Sequence, residues 1–344
     1  MKALLMDRYK HMEYVDYPTP SLASDRDVLV RVRACSICGS DVHGYDGSTG
    51  RRIPPVVMGH EAAGEVVAVG RAVSAFVVGD RVTFDSTVYC GECGYCRTGD
   101  VNLCDNRRVL GVSCAEYRRD GAFAEFVVVP DYIVYKLPAG LSFEEAAMAE
   151  PAAVAAHALR ITPVTLNETV AVVGTGLIGL LLIQVLKASV SGRIIALDTD
   201  PSRRQTAIGF GADVALDPAD PTLLAQVQAL TEGRGADRVF EAVGATAPIK
   251  TALTIVRKGG SVTLIGNVSP IIELPLQSVV TRQITLYGSC AMAGEYPLVL
   301  DLMARGRIDV KSLISAIAPM SEGPSWFDRL YARENGLLKV VLVP

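Results

Sequence analysis

The stretch TVAVVGTGLIGLLLIQVLKA, residues 169–188, decides how this chain folds. A short β-branched run leads into Gly174-Thr175-Gly176-Leu177-Ile178-Gly179, and an apolar helix-forming run follows. A bare G-x-G-x-x-G pattern is a weak signal, but between a strand and a helix it is a dinucleotide-binding fingerprint. Gly174 permits the tight turn, Gly176 the approach of a pyrophosphate, and Gly179 the packing of helix on strand. Leu177 and Ile178 open the helix, where free N–H groups and the positive end of the helix dipole face the phosphates. Asp198 ends the next strand-like run, RIIALD, at the spacing expected for a ribose 2′-hydroxyl. Its charge would repel the extra phosphate of NADP, which favours NAD; Arg203 and Arg204 pull the other way.

Working outward, strand-like and helix-like runs alternate from residue 169: TVAVV, RIIALD, ADVALD, ADRVFEAV, GSVTLIG and QITLYG. Six strands with helical crossovers predict an α/β unit with a doubly wound parallel sheet. Upstream, DVLVRVRAC, AAGEVVAVG, DRVTF, AEFVVVP and YIVYKLP lie between turn signals and predict a β-rich unit over residues 1 to about 140. Ser142 and Glu145 form a capping box ahead of an alanine-rich helix, FEEAAMAEPAAVAAHAL, in which the chain is expected to leave the helical conformation at Glu150, before Pro151. After 297 a helical run leads to a last strand, LLKVVLV, that could pack on the first unit. The expected division is 1–150, 151–290, and a C-terminal segment 291–344.

The 344 residues have room for about two domains. Half are hydrophobic, a fifth are charged and the net charge is -4, a balance without the basic footprint of a nucleic-acid binder. The N-terminus lacks a signal-peptide pattern, and the longest apolar run, GLIGLLLIQVL at 176–186, is too short to span a bilayer. The expectation is a cytoplasmic protein without a membrane partner. In that reducing compartment clustered cysteines point to metal rather than disulfides.

Cys90, Cys93, Cys96 and Cys104 have the spacing C-x2-C-x2-C-x7-C. Four thiolates close a tetrahedral zinc shell and leave no position for substrate, so this cluster reads as a structural staple, although an iron–sulfur cluster also takes four thiolates. A second set lies elsewhere. Cys38 in CSICGSDVH and His60 in MGHEAAGEVVAVG are a thiolate and an imidazole suited to zinc, and two of only four histidines, His43 and His60, fall in these motifs. Glu150 offers a carboxylate, and three protein ligands with one open position make a catalytic zinc site. Taken singly, Cys38 reads as a small buried hydrophobe, His60 as a core histidine and Glu150 as a helix-end charge.

Together these motifs carry a resemblance. GHE-x2-G-x5-G-x2-V from Gly59 to Val73, Cys38-Gly39-Ser40-Asp41, the four-cysteine loop and the nucleotide fingerprint resemble the zinc-containing medium-chain alcohol and polyol dehydrogenases along nearly the whole chain. The resemblance implies a chaperonin-10-like β-barrel catalytic domain, an inserted Rossmann domain and an active site in the cleft between them. It implies two zinc ions per chain and NAD as cofactor. The catalytic ion falls to Cys38 and His60, with Glu61 able to enter its shell. The Glu150-Pro151 pair, where classical alcohol dehydrogenases have a second cysteine, resembles the sorbitol, galactitol-1-phosphate, butanediol and threonine dehydrogenase branch. Ile265, Gly266 and Asn267 are placed beside the nicotinamide half of the cofactor. Ser40 and His43 match a proton relay from the alcohol to solvent.

The expected reaction takes a hydride from a secondary alcohol of a polyol or sugar derivative to NAD, giving a ketone. The residues are less decisive about substrate. Ala291 and Met292 stand where sorbitol dehydrogenases carry an arginine and a tyrosine. Arg118 and Arg119 could meet a phosphate or carboxylate; Tyr45 and Glu295 are weaker candidates. Two other readings are an L-threonine or 2,3-butanediol-type dehydrogenase and a non-catalytic nucleotide-binding protein stapled by zinc. The exposed edge expected at QITLYGSC and the family resemblance point to a homodimer or homotetramer.

Overall fold

Strand Asp27–Ser36 shows how the sequence pattern becomes a sheet: Val28, Val30 and Val32 are buried while Arg31 and Arg33 point to solvent. Period-two alternation of this kind fits a strand with one face on a core. The computed structural model describes residues 1–189 and 192–344, divided into two units, Met1–Glu150 with Tyr296–Pro344, and Pro151–Glu295.

In the first unit Asp27–Ser36 is central. Glu61–Val69 pairs antiparallel on one side of it, followed by Arg81–Phe84 and Val134–Lys136. On the other side lies the last strand of the chain, Val340–Val343, with Val341 opposite Ser36, and then Ala316–Pro319. Phe126–Pro130 also pairs with Asp27–Ser36. A separate three-stranded sheet joins His11–Asp16, Lys2–Arg8 and Val56–Val57. Val28, Val30, Val56, Phe84, Phe123 and Phe327 belong to the core of this unit.

The second unit carries the six strands expected from the alternating runs. They lie in the spatial order third, second, first, fourth, fifth, sixth: Val214–Leu216, Ile194–Leu197, Val170–Val173, Ala236–Glu241, Val256–Leu264 and Thr285–Gly288. Every pair is parallel. The order reverses beside Val170–Val173, the switch point at which such sheets bind ligands beyond the strands' carboxyl ends. Val170–Val173 and Ile194–Leu197 are buried throughout, which explains their unbroken apolar runs.

The alanine-rich stretch differs from the single helix expected. Ser142 and Glu145 do form a capping box, but the helix it opens, Phe143–Ala146, stops after four residues. A second helix, Ala149–Ile161, begins before Pro151, so the chain enters a helix around Glu150 rather than leaving one. Pro151 falls in the first turn, where its missing N–H removes no hydrogen bond. No helix among the described residues is long and apolar enough to cross a membrane.

Candidate functional site

Antiparallel pairing explains why two distant motifs meet. Ser36 and Glu61 face each other across the ladder, so the chain leaving one strand toward Cys38 runs beside the chain entering the next at His60. Ligand atoms of Cys38, His60 and Glu61 all lie within 4.8 Å of one another. His60 and Glu61 are buried and Cys38 half-buried.

The register of the last strand brings in a fourth group. Lys339 stands just before Val340–Val343 and is 2% exposed; its Nζ donates to Ile37 O at 3.0 Å and to Glu61 Oε2, which also accepts from Ser36 Oγ. Burial alone would lower the Lys339 pKa, but Glu61 and Cys38 raise it overall.

Glu150 is buried and accepts from Ser86 Oγ at 3.1 Å. Its carboxylate is not among the mutually close ligand atoms of Cys38, His60 and Glu61. Burial, opposed by His60 and Lys339 and reinforced by Glu61 and Asp85, brings its pKa up to about 7. Asp41 Oδ1 lies 3.5 Å from His60 Nδ1, which is buried and makes no hydrogen bond. Burial disfavours a charged imidazole, yet Asp41 and Cys38 outweigh it and hold the His60 pKa well above its ordinary value. Surroundings that draw positive charge onto the ring, a thiol and an imidazole 4.8 Å or less apart, and an adjacent carboxylate fit a zinc ion.

Ser40 and His43 lie on the short helix Gly39–Gly44, which Cys38 caps. Ser40 Oγ is 3.3 Å from Cys38 Sγ, while His43 is exposed.

The four-cysteine loop also converges. The sulfurs of Cys90, Cys93, Cys96 and Cys104 lie within 4.8 Å of one another, with 3.9 Å between Cys90 and Cys96. Zinc–sulfur bonds of about 2.3 Å in a tetrahedron imply sulfurs about 3.8 Å apart, so the cradle matches zinc. Backbone N–H groups of Cys90 and Asn106 point at Cys104 Sγ, each at 3.3 Å. The N–H groups of Glu92 and Cys93 lower the Cys90 thiol to about 6, which favours thiolate. A third close grouping, Asp7, His11 and Glu13, is a set of hairpin ion pairs in which Arg8 also holds Asp7.

In the fingerprint, Gly174 has φ +89 and Gly176 caps the helix Leu177–Ala188, which Leu177 and Ile178 open. A Cβ on Gly179 would stand 1.9 Å from Gly174 O, whereas one on Gly176 would meet nothing within 4 Å. The first enforces packing; the second leaves open space at the helix N-terminus. Asp198 accepts from Thr175 N at 2.8 Å and Thr175 Oγ1 at 3.1 Å, so it braces the glycine turn as well as ending its strand. Arg204 is committed to the carbonyls of Asp198 and Thr199 and to Asp217, while Arg203 lies 3.8 Å from Asp200. Ile265 and Gly266 donate to Glu241 O, and Gly266 packs on Gly244 so closely that a Cβ would overlap its nitrogen; Asn267 follows.

The weaker substrate candidates have other partners. Tyr45 donates to Asp328 and packs on Phe327; Glu295 pairs with His157 and Arg160. Arg118 is exposed, and Arg119 Nε is buried without a hydrogen-bond partner. Met292 is fully buried, and Ala291 has φ 52. Ser36, Arg52, Glu241 and Lys339 went unnamed in the sequence reading, and Asp41 stood in a motif without a role of its own. The lysine inside the apolar run LLKVVLV was a readable sign of a buried charge with a partner.

Comparison with known proteins agrees along the chain. The family description "Alcohol dehydrogenase GroES-like domain" matches residues 24–139 and "Zinc-binding dehydrogenase" residues 178–305. Sorbitol dehydrogenase of Bacillus subtilis (strain 168) is 34% identical, over 100% of this chain and 97% of its own. D-arabitol-phosphate dehydrogenase of Enterococcus avium is 34% identical, over 97% and 94%. A protein from Escherichia coli CFT073 described as a short chain alcohol dehydrogenase, solved in complex with NADH, superposes with a TM-score of 0.90 at 30% identity, covering 100% of this chain and 99% of its own.

Proposed function

The chain belongs to the zinc-binding alcohol and polyol dehydrogenases with a GroES-like domain, and from that premise we propose that it oxidises a secondary alcohol of a polyol, sugar alcohol or sugar derivative to the ketone, passing the hydride to NAD. The observation that carries this is the meeting of Cys38, His60 and Glu61 within 4.8 Å, in a chain that also holds a complete dinucleotide fingerprint. Cys38 and His60 hold the catalytic zinc, with a carboxylate from Glu61 or Glu150 beside them; the four-cysteine loop holds the structural zinc.

When bound, zinc supplies Lewis acidity toward an alcohol oxygen and NAD supplies a hydride acceptor. The chain does the rest. Ser40, whose hydroxyl gives up its own proton as it accepts that of the alcohol, and exposed His43, which hands a proton to water, are the two ends that this chain supplies to the relay. Lys339 balances the Glu61 charge inside the protein. Gly176 admits the pyrophosphate and Asp198 meets the adenosine ribose. Commitment of Arg204 to carbonyls and Asp217 leaves one less cation for a 2′-phosphate, which favours NAD over NADP.

A phosphorylated polyol is a second reading, favoured by the D-arabitol-phosphate relative. We place the protein in the cytoplasm as a homodimer or homotetramer, a reading supported by the one-sided pairing of the edge strand Thr285–Gly288. The test is NADH formation across polyols, their phosphates, sugar acids, L-threonine and 2,3-butanediol. Turnover concentrated on a polyol or its phosphate supports the proposal. Activity confined to L-threonine or butanediol, or none on any alcohol, overturns it.

A further inference from the structure

Arg52 is a cation that is 4% exposed, and nothing in the reaction described above uses it. Its stretch of chain is stitched in place, with Ile53 N donating to Ser113 O at 2.9 Å and Ser113 N to Arg51 O at 3.2 Å. Burying a guanidinium is costly unless every donor finds a partner. Here Nη1 donates to Arg51 O at 3.1 Å, while Nε and Nη2 converge on one oxygen, Asp41 Oδ1, at 3.1 and 2.8 Å.

That oxygen is the one facing His60. Asp41 Oδ1 lies 3.5 Å from His60 Nδ1, and Asp41 Oδ2 has no hydrogen-bond partner. His60 Nδ1 is likewise buried without a hydrogen-bond partner, so two N–H groups aimed at Oδ1 set where the carboxylate stands and the carboxylate acts on the ring as a charge 3.5 Å away. Arg52 Nη2 also lies 3.4 Å from Ser40 Oγ. A guanidinium only donates, so this contact occupies an Oγ lone pair and turns the hydroxyl hydrogen away from Arg52. The neighbouring helix is shaped around the same side chain: a Cβ on Gly44 would stand 2.3 Å from Arg52 Cγ.

We propose that Arg52 is a positioning residue of the zinc centre, fixing Asp41 against His60 and orienting the Ser40 hydroxyl, so that retention of that one ion depends on it. The inference rests on the assignment of Cys38 and His60 as zinc ligands. Removing an outer partner of a metal-bound histidine typically costs about 10- to 100-fold in metal affinity.

The experiment measures zinc per chain, and the rate of zinc release to 4-(2-pyridylazo)resorcinol, for the full-length protein and its variants. The wild type should hold two ions and C38A one, which identifies the release phase belonging to the centre. R52K keeps the charge but loses the fork, and should release that ion about tenfold faster with the four-cysteine ion unchanged. G44A, which displaces the arginine stem, should speed the same phase. Should R52M fold poorly because Asp41 is left unpaired, D41N/R52M removes both charges and should show the same fast phase. Release within threefold of wild type in both R52K and D41N/R52M, or equal acceleration of both phases, overturns the role of Arg52. A wild type with one ion that C38A does not disturb instead defeats the ligand assignment, and the inference with it.

Discussion

Glu61 and Lys339 are each 1% exposed at the side chain and 278 residues apart in sequence. Removing one partner of such a pair leaves the other charge uncompensated in the interior. K339M should therefore lose about 3–5 kcal/mol in denaturant unfolding, and E61Q/K339M should recover most of it. A loss under about 1 kcal/mol would mean the pair is effectively hydrated. Glu150 makes a pH prediction for the metal-free protein. Its folded pKa is raised from 4.5 to about 7, so its contribution to stability is full below about 4.5 and is lost as pH climbs through about 7. The gap corresponds to about 3 kcal/mol. The stability of metal-free E150Q should fall less over that window than that of the metal-free wild type; parallel curves would contradict the assignment. Cys38 and His60 were legible because cysteine and histidine are scarce here and sit in short motifs. Lys339 and Arg52 were not, since a buried charge declares its partner only when the register of distant strands is known.

Elements of the second unit were legible because their reasons are local: β-branched runs for strands, glycine spacing for the turn, an apolar stretch for the helix. Two glycines of one motif should respond oppositely to the same substitution. G179A forces a Cβ to 1.9 Å from Gly174 O and should lower the thermal midpoint sharply, by several degrees or more. G176A meets nothing within 4 Å, so it should fold with a near-wild-type midpoint yet bind NADH at least tenfold more weakly in a fluorescence titration, because its methyl group fills the phosphate opening. Equal thermal loss in both, or unchanged NADH binding in G176A, would refute this division of roles. The alanine-rich stretch misled for an equally local reason. A proline tolerated in the first turn of a helix looks, in sequence alone, like a proline that ends one.

At the scale of the whole molecule, the cofactor fingerprint belongs to one unit and the candidate zinc ligands to the other, and the last strand of the chain returns to pair with Asp27–Ser36. That return supplies Lys339, so the last strand brings a partner to Glu61 as well as closing the sheet. Charge also bears on the choice of nucleotide. With Asp198 in the fingerprint and Arg204 engaged elsewhere, kcat/KM should favour NAD over NADP by at least tenfold, and a reversal would show that Arg203 captures the 2′-phosphate. The four-cysteine spacing was readable as a closed shell; the identity of the alcohol was not, because substrate contacts depend on side chains from several elements rather than on one motif. Anomalous scattering at the zinc edge, from crystals of the full-length protein, tests the central claim most directly. Two peaks per chain are predicted, one inside the Cys90, Cys93, Cys96 and Cys104 cradle and one bonded to Cys38 and His60. A single peak in the cysteine cradle, with none between Cys38 and His60, would contradict it.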